Sequence, residues 1–382
     1  MSKIKIAIVT SYPYPEDSAT ANRISIFADV FANDNLFDVT VMAVNSNHVK
    51  KYEQNLNYKI IQMKQREYNK RNFYLRAVNE IYDSFKLLIK VKKENADVYI
   101  ISLPSMFLLF AYVILRKKEI VYDIRDLVWK YIKNKNIIMD LLEKTALYIL
   151  SKSRLVTVTN ENELKYLESN YVYNTIKISN GINNSRFKKL CDIKLKDKGS
   201  NKKYELIYIG NIGYAQKLQE IIDVVGQMEN YNLRIIGKGN ELNRLLEYVK
   251  SKKFKNITFL GYMPWNNMIE FIKASDCLIG QIGQEFESAI PSKLYEYAVC
   301  GRNIVFGLPD GAANNIIKDF KGFNIYSTGD SKTLKELLLQ VKSFNISQEN
   351  IDYNRKHVSK HFIREKEALK LVSKIKEEYE AF

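Results

Sequence analysis

A chain of 382 residues, 46% hydrophobic and 27% charged, has globular composition; this excludes extended disorder, and the length suits two domains of ordinary size. Three cysteines, Cys191, Cys277 and Cys300, are odd in number and far apart; neither a disulfide framework nor a zinc site follows from them, and a reducing cytoplasm fits. The net charge of +16 asks for an anionic partner, and on charge alone nucleic acid, an anionic membrane face and a diphosphate-bearing substrate all stay open.

Ile4 to Val9 is an apolar run too short for a signal-peptide core and reads as part of a first strand, Lys3 to Thr10. The loop Ser11 to Thr20 leads to a helix over 21–32, and Phe37 to Val44 is the second strand. That order is a βαβ unit with its functional loop at the C-terminal end of the strand. Between Lys64 and Lys93 nine basic residues face three acids, and Tyr74, Val78, Ile81, Phe85 and Leu88 recur at helical spacing. Two readings stand for this region: a helix packed on its own domain with solvated lysines outside, or a patch that docks on anionic lipid.

Asp97 to Ser102 is another strand, and the mostly apolar run from Leu103 to Leu115 reads as a buried helix, because a bilayer-spanning helix needs about twenty residues. No transmembrane segment is expected, so any membrane contact is expected to be peripheral. Glu119 to Ile124 makes a strand that delivers Asp123, Arg125 and Asp126 to its C-terminal end, either as substrate contacts or as a local ion-paired loop. Arg154 to Asn160 is a strand, Glu161 to Ser169 a helix, and the lysine-rich stretch 188–203 a linker.

Past the linker, Tyr204 to Ile209 is a strand followed by Gly210-Asn211-Ile212-Gly213 and a helix near Ala215 to Met228. Three further strands, Leu233 to Ile236, Asn256 to Leu260 and Asp276 to Gly280, each stop at glycine, on what should be one rim. The glycine spacings fail as a dinucleotide fingerprint, with Leu242 where a third glycine would stand, so no nicotinamide cofactor is expected. In Glu285 to Phe306, Pro291 suits a first helical position, Ser292 and Lys293 add a hydroxyl and a cation, and Glu296 lies on the same face. One turn with free backbone N–H groups could hold a diphosphate and a ribose together. The helix stops on Gly301, Asn303 to Phe306 is a buried strand, and Asn354 to Phe382 is helical and charged.

The stretch Glu285 to Phe306 resembles the donor-sugar motif of the retaining glycosyltransferases of GT-B fold, the Glu-x7-Glu type. It is most similar to the bacterial branch reading P-S-K-L-x-E-Y, found among enzymes of O-antigen, capsule and related surface polysaccharides. V-Y-D-I-R-D-L-V-W resembles the D-I-R-D-L-W-P segment of that branch, Ile176 to Ile182 with Phe187 its N-G-V-D-x-x-x-F element, and Y-I-G-N-I-G-Y-A-Q-K-L the opening of its donor domain. The resemblance implies an α/β chain of two Rossmann-like domains with parallel sheets facing across a cleft. They would be an acceptor-binding domain at 1–187, the linker 188–203, a nucleotide-sugar domain at 204–355, and a helix at 356–382 crossing back to the first domain.

By the same resemblance Glu296 takes the ribose hydroxyls, Lys217 matches the family's phosphate-binding lysine, Asn211 replaces an arginine, and Lys293 supplies the missing charge. Gly210, Gly213, Gly239, Gly261 and Tyr262, with Ser292 and Leu294, complete the expected donor site. The family's first glutamate falls on Ser288, and either Glu287 or Glu285 takes its place. Thr20 and Asn22, standing where the family has glycines, and Arg125 are the acceptor candidates; Asp126, Glu287 and Lys293 are the catalytic ones. No metal or cofactor is expected, the nucleotide sugar being a substrate. The implied reaction is transfer from a sugar nucleotide, UDP-linked in preference, to a lipid-linked or soluble saccharide. It would proceed with retention by front-face attack, in the cytoplasm or at the inner face of the membrane. A sugar-nucleotide epimerase of the same fold is the alternative. A nucleic-acid binder is disfavoured, because the aromatics from Tyr74 to Phe85 follow a core-facing period rather than interleaving with the basic residues along a groove.

Overall fold

A computed structural model describes residues 3–15, 19–45, 56–64, 73–103, 106–116, 119–125, 127, 129, 137–194, 203–287, 289–343 and 346–380. The chain divides into two compact units, one of residues 1–180 with 364–382 and the other of 181–363.

In the first unit, β1 (Ile4–Pro13), α1 (Ala19–Ala32), β2 (Phe37–Val44), β3 (Lys59–Met63) and α2 (Phe73–Lys93) are followed by β4 (Val98–Leu103). A 3₁₀ turn and α3 (Ala111–Leu115), β5 (Ile120–Ile124), α4 (Ile137–Lys152), β6 (Leu155–Val158), α5 (Glu161–Ser169) and β7 (Thr175–Lys177) complete the run. The strands form one parallel sheet in the order β3-β2-β1-β4-β5-β6-β7. β4 and β5 are buried at every position, as strands covered on both faces by helices must be, and this is why they read as unbroken apolar runs. One face carries Leu88 of α2, Leu115 of α3, Leu150 of α4 and Leu167 of α5; the other carries Phe27 and Phe31 of α1.

The second unit opens with α6 (Asn184–Cys191), so the expected linker begins inside a helix whose Leu190 is buried; residues 195–202 of that linker lie outside the description. Next come β8 (Tyr204–Ile209), α7 (Leu218–Gly226), β9 (Tyr231–Ile236), α8 (Leu242–Lys252), β10 (Ile257–Gly261), α9 (Trp265–Ala274) and β11 (Cys277–Gln281). Then follow α10 (Lys293–Val299), β12 (Asn303–Leu308), α11 (Ala312–Ile317), β13 (Phe323–Ser327), α12 (Ser331–Val341) and α13 (Gln348–His361). The sheet order is β10-β9-β8-β11-β12-β13, again parallel. The chain then returns to the first unit as α14 (Arg364–Glu380), whose Leu371 and Ile375 join the core around α1.

Three local expectations change. The run from Leu103 to Leu115 is not one helix but a 3₁₀ turn, Met106–Phe110, leading into a five-residue α3. The helix expected from Ala215 is a 3₁₀ turn, Tyr214–Gln216, followed by α7, because Lys217 takes a left-handed φ of 43° and breaks the ladder between them. On α2, the face toward the core is Leu87, Leu88 and Val91, while Val78, Ile81 and Phe85 point outward. Tyr74 lies among side chains outside the description.

In α13, His357 sits in an aromatic cluster with Phe320, Tyr353 and Phe362, and its Nε2 finds no hydrogen-bond partner among the described residues. Burial, then the neighbouring His361, push its pKa below the ordinary value. The folded unit therefore holds His357 neutral where the unfolded chain protonates it. That stabilisation is fully present above about pH 6.5 and is lost as pH falls through the depressed folded value. Thermal melts from pH 8 down to 5 are expected to show falling stability, with a shallower slope in His357→Phe; equal slopes would refute this.

Candidate donor and acceptor sites

Parallel strands present their C-terminal ends on one rim of a sheet, and in the second unit the turns after β8, β9, β10 and β11 make that rim. These turns are locked by backbone bonds: Gly210 N donates to Ile236 O (3.0 Å), Ile212 N to Lys238 O (2.9 Å) and Gly237 N to Gly261 O (2.9 Å). A Cβ on Gly239 would fall inside the van der Waals shell of Ile212 O, and Gly261 has φ +73°, so both positions need glycine. Asn211 braces the first turn, its Nδ2 donating to Gln216 Oε1 (3.2 Å), which also accepts from Gly213 N (3.2 Å). Tyr262 is half exposed beside this rim with the Lys238 ammonium 4.7 Å from its ring centroid, an aromatic face suited to stacking.

Lys217 is anchored through its carbonyl, which accepts from Gln281 Nε2 (2.5 Å); Gln281 in turn accepts from the Tyr326 hydroxyl (2.6 Å). Its ammonium lies 3.6 Å from the Tyr214 ring centroid and 2.8 Å from Glu285 Oε1. The hydrogen bond from Lys217 holds the Glu285 carboxyl below its ordinary range. Glu285 is therefore the acid placed beside Lys217. Glu287 is exposed, and its carbonyl is clasped by Ala312 N (2.8 Å); Ser288 lies outside the described residues.

The helix carrying the P-S-K-L-x-E-Y residues starts at Lys293, with Ser292 as its N-cap residue and Pro291 before it, so Pro291 does not hold the first helical position. Seven residues make a weak dipole, and the side chains carry the charge of the site. Lys293 Nζ donates to Glu296 Oε2 (2.6 Å), and Arg186 Nη1 donates to Glu296 Oε1 (3.3 Å). Arg186 also stacks over Trp265 at 5.3 Å. Leu294 is fully buried and its N–H bonds to Pro291 O (3.1 Å), so both its side chain and its amide serve the fold rather than a ligand.

In the first unit, Arg125 donates to the Thr20 hydroxyl and accepts at its carbonyl from Thr159 Oγ1 (3.2 Å), which brings two acceptor candidates together. Asn22 is half-buried in the first turns of α1; Asp126 lies outside the described residues. Asp123 turns inward. Both its oxygens accept from Arg23 Nε (3.1 Å each), Oδ1 also from Arg23 Nη2 (2.7 Å) and from Thr157 Oγ1 (2.6 Å), while Arg23 Nη1 reaches Ile178 O (3.2 Å).

Arg23, Thr157 and Arg186 are residues that sequence reading missed. Arg186 had a signal, since it stands directly before Phe187 in the element after Asn180-Gly181. Among the described residues no group of three His, Cys, Asp or Glu side chains is placed to hold a metal ion.

Residues 192–358 match the family model described as Glycosyl transferases group 1. The chain is a glycosyltransferase. Over 363 residues it is 21% identical to an uncharacterized glycosyltransferase of Methanocaldococcus jannaschii, covering 91% of each chain. Among solved structures, the glycosyltransferase is similar to the sucrose-phosphate synthase of Thermosynechococcus elongatus, with a TM-score of 0.76 and 14% identity over 100% of both chains. It is also similar to Anabaena HepE in complex with UDP and glucose, with a TM-score of 0.70 and 13% identity over 98% of this chain and 99% of that one. These likenesses give the fold as GT-B, two parallel-sheet Rossmann-like domains.

Proposed function

We propose that this glycosyltransferase moves a sugar from a nucleotide-sugar donor, a UDP-sugar in preference, to a saccharide acceptor in the assembly of a bacterial surface polysaccharide. The observation that carries the reading is the pair of lysine–carboxylate couples at the ends of parallel strands, Lys217 with Glu285 and Lys293 with Glu296. Each couple combines a cation for a phosphate with an acceptor for a sugar hydroxyl. Glu296 takes the ribose hydroxyls, Glu285 faces the transferred sugar, and Tyr262 stacks on the base. HepE, whose structure holds UDP and glucose, supports UDP as the first nucleotide to test.

The departing diphosphate gathers negative charge, and Lys217 and Lys293 meet it as fixed charges already in place. Retention follows from the family resemblance, with the leaving phosphate taking the acceptor proton during front-face attack. Thr20, Asn22 and Arg125 contact the acceptor, which we take to be lipid-linked, at an anionic membrane face that suits the net charge of +16. No resident cofactor or metal enters the reading.

Calorimetric titration with nucleoside diphosphates and sugar nucleotides tests it. Saturable binding of UDP, weakened about ten- to a hundred-fold by Lys293→Ala and unchanged by a chelator, is the expected result. Silence across the panel overturns it.

A further inference from the structure

Helix α2 is apolar on two opposite sides. Leu87, Leu88 and Val91 face the sheet. On the far side Val78, Tyr82, Phe85 and Ile89 follow at intervals of four, three and four residues, one continuous helical stripe, with Val78 62% and Ile89 55% exposed. A helix that packs only on its own domain has no need of the second stripe.

The same design recurs on α4. Its inner side gives Ala146, Ile149 and Leu150 to the core, while Ile137, Leu141 and Tyr148, 87%, 64% and 60% exposed, lie along the opposite stripe. Both helices cover the same face of the first sheet, and α3, which lies between them in the crossover order, adds the exposed Val113. Phe85 of α2 stacks on Phe110 at 5.5 Å, at the start of α3. Three helices on one face of the sheet thus each turn apolar side chains to solvent.

Cations accompany the stripes. Lys92 continues the α2 stripe with Lys86 and Lys93 on its flank, all three exposed, while on α4 the exposed Lys144 stands between Leu141 and Tyr148 with the exposed Asp140 one turn before it, so the positive excess lies on α2. We propose that this helical layer is the docking surface for an anionic lipid bilayer, with the apolar stripes entering the headgroup boundary and the lysines meeting the lipid phosphates. No described helix is long and apolar enough to cross a membrane, so the contact is parallel to the surface. A second copy of the chain fits less well, because it would set lysine against lysine. The inference deepens the membrane part of the proposed function and does not depend on the donor site.

The test is co-sedimentation of the full chain with phosphatidylcholine vesicles with and without phosphatidylglycerol, alongside sedimentation velocity without lipid. Expected are binding that needs the anionic lipid, a partition at least about ten-fold lower for Val78→Ser/Ile89→Ser and for Leu141→Ser/Tyr148→Ser, and loss of the anionic preference in Lys92→Glu/Lys144→Glu. UDP titration of the same variants reports on the second unit and should be unchanged, which separates failure here from failure of the donor reading. A wild-type chain that stays in the supernatant with both vesicles overturns the proposal. So does wild-type partition in the serine variants, or a dimer that those variants dissolve in the absence of any lipid binding.

Discussion

Arg23→Met is expected to destabilise the first unit by about 3–5 kcal/mol, because it strips the partner from a carboxylate that has no access to water. Asp123 is fully buried and Arg23 nearly so. Once the guanidinium is gone, the Thr157 hydroxyl alone cannot compensate a buried charge. Arg23→Lys keeps the charge but cannot donate from two nitrogens to both oxygens, and it should fall between wild type and Met. Arg23→Met/Asp123→Leu removes both charges and should recover much of the loss. The chain has two tryptophans, Trp129 and Trp265, one in each unit. In a Trp265→Phe background, urea denaturation followed by Trp129 fluorescence therefore reads the first unit. A change below about 1 kcal/mol, within the range of exposed pairs, would mean that the pair does not hold β5 to α1.

Glu296→Ala should weaken UDP binding by about a hundred- to a thousand-fold, the cost of two charge-assisted hydrogen bonds to the ribose diol. It also releases Lys293 and Arg186 from the carboxylate that now holds them. Inorganic diphosphate, which has no ribose, should bind the variant at least as well as wild type, because two cations have become free to meet it. This opposite movement of two ligands separates a ribose contact from a general collapse of the site. Parallel loss of both ligands would assign Glu296 to the fold instead.

Both parallel sheets were legible in the sequence because the buried strands are nearly pure apolar runs, bounded in the second sheet by glycine-ended turns, and Phe37–Val44, Tyr204–Ile209 and Glu161–Ser169 fall where patterning put them. Short edge strands were not. Thr175–Lys177 and Lys59–Met63 carry too few residues to show a period, and only pairing to a neighbour defines them. At the site, Lys293 and Glu296 were readable because three residues along a helix fixes their meeting. Arg186 lies 110 residues from Glu296 and Arg23 100 from Asp123, separations over which no local pattern carries information. The outward stripe of α2 was misread for a different reason: a helix apolar on two sides gives a period without saying which side is buried.

The return of the chain from Ile363 into α14 has a consequence for biosynthesis. The core around α1 closes only when Ala368, Leu371, Val372 and Ile375 arrive, after the whole of the second unit has been made. At roughly 5–20 residues per second, the face of α1 that they cover waits on the ribosome for about fifteen to seventy seconds. The second unit, continuous in the chain, can finish folding first. Nascent first units therefore offer a sticky helix face to chaperones during translation, and a stop codon just before α14 would leave that face open for the life of the protein.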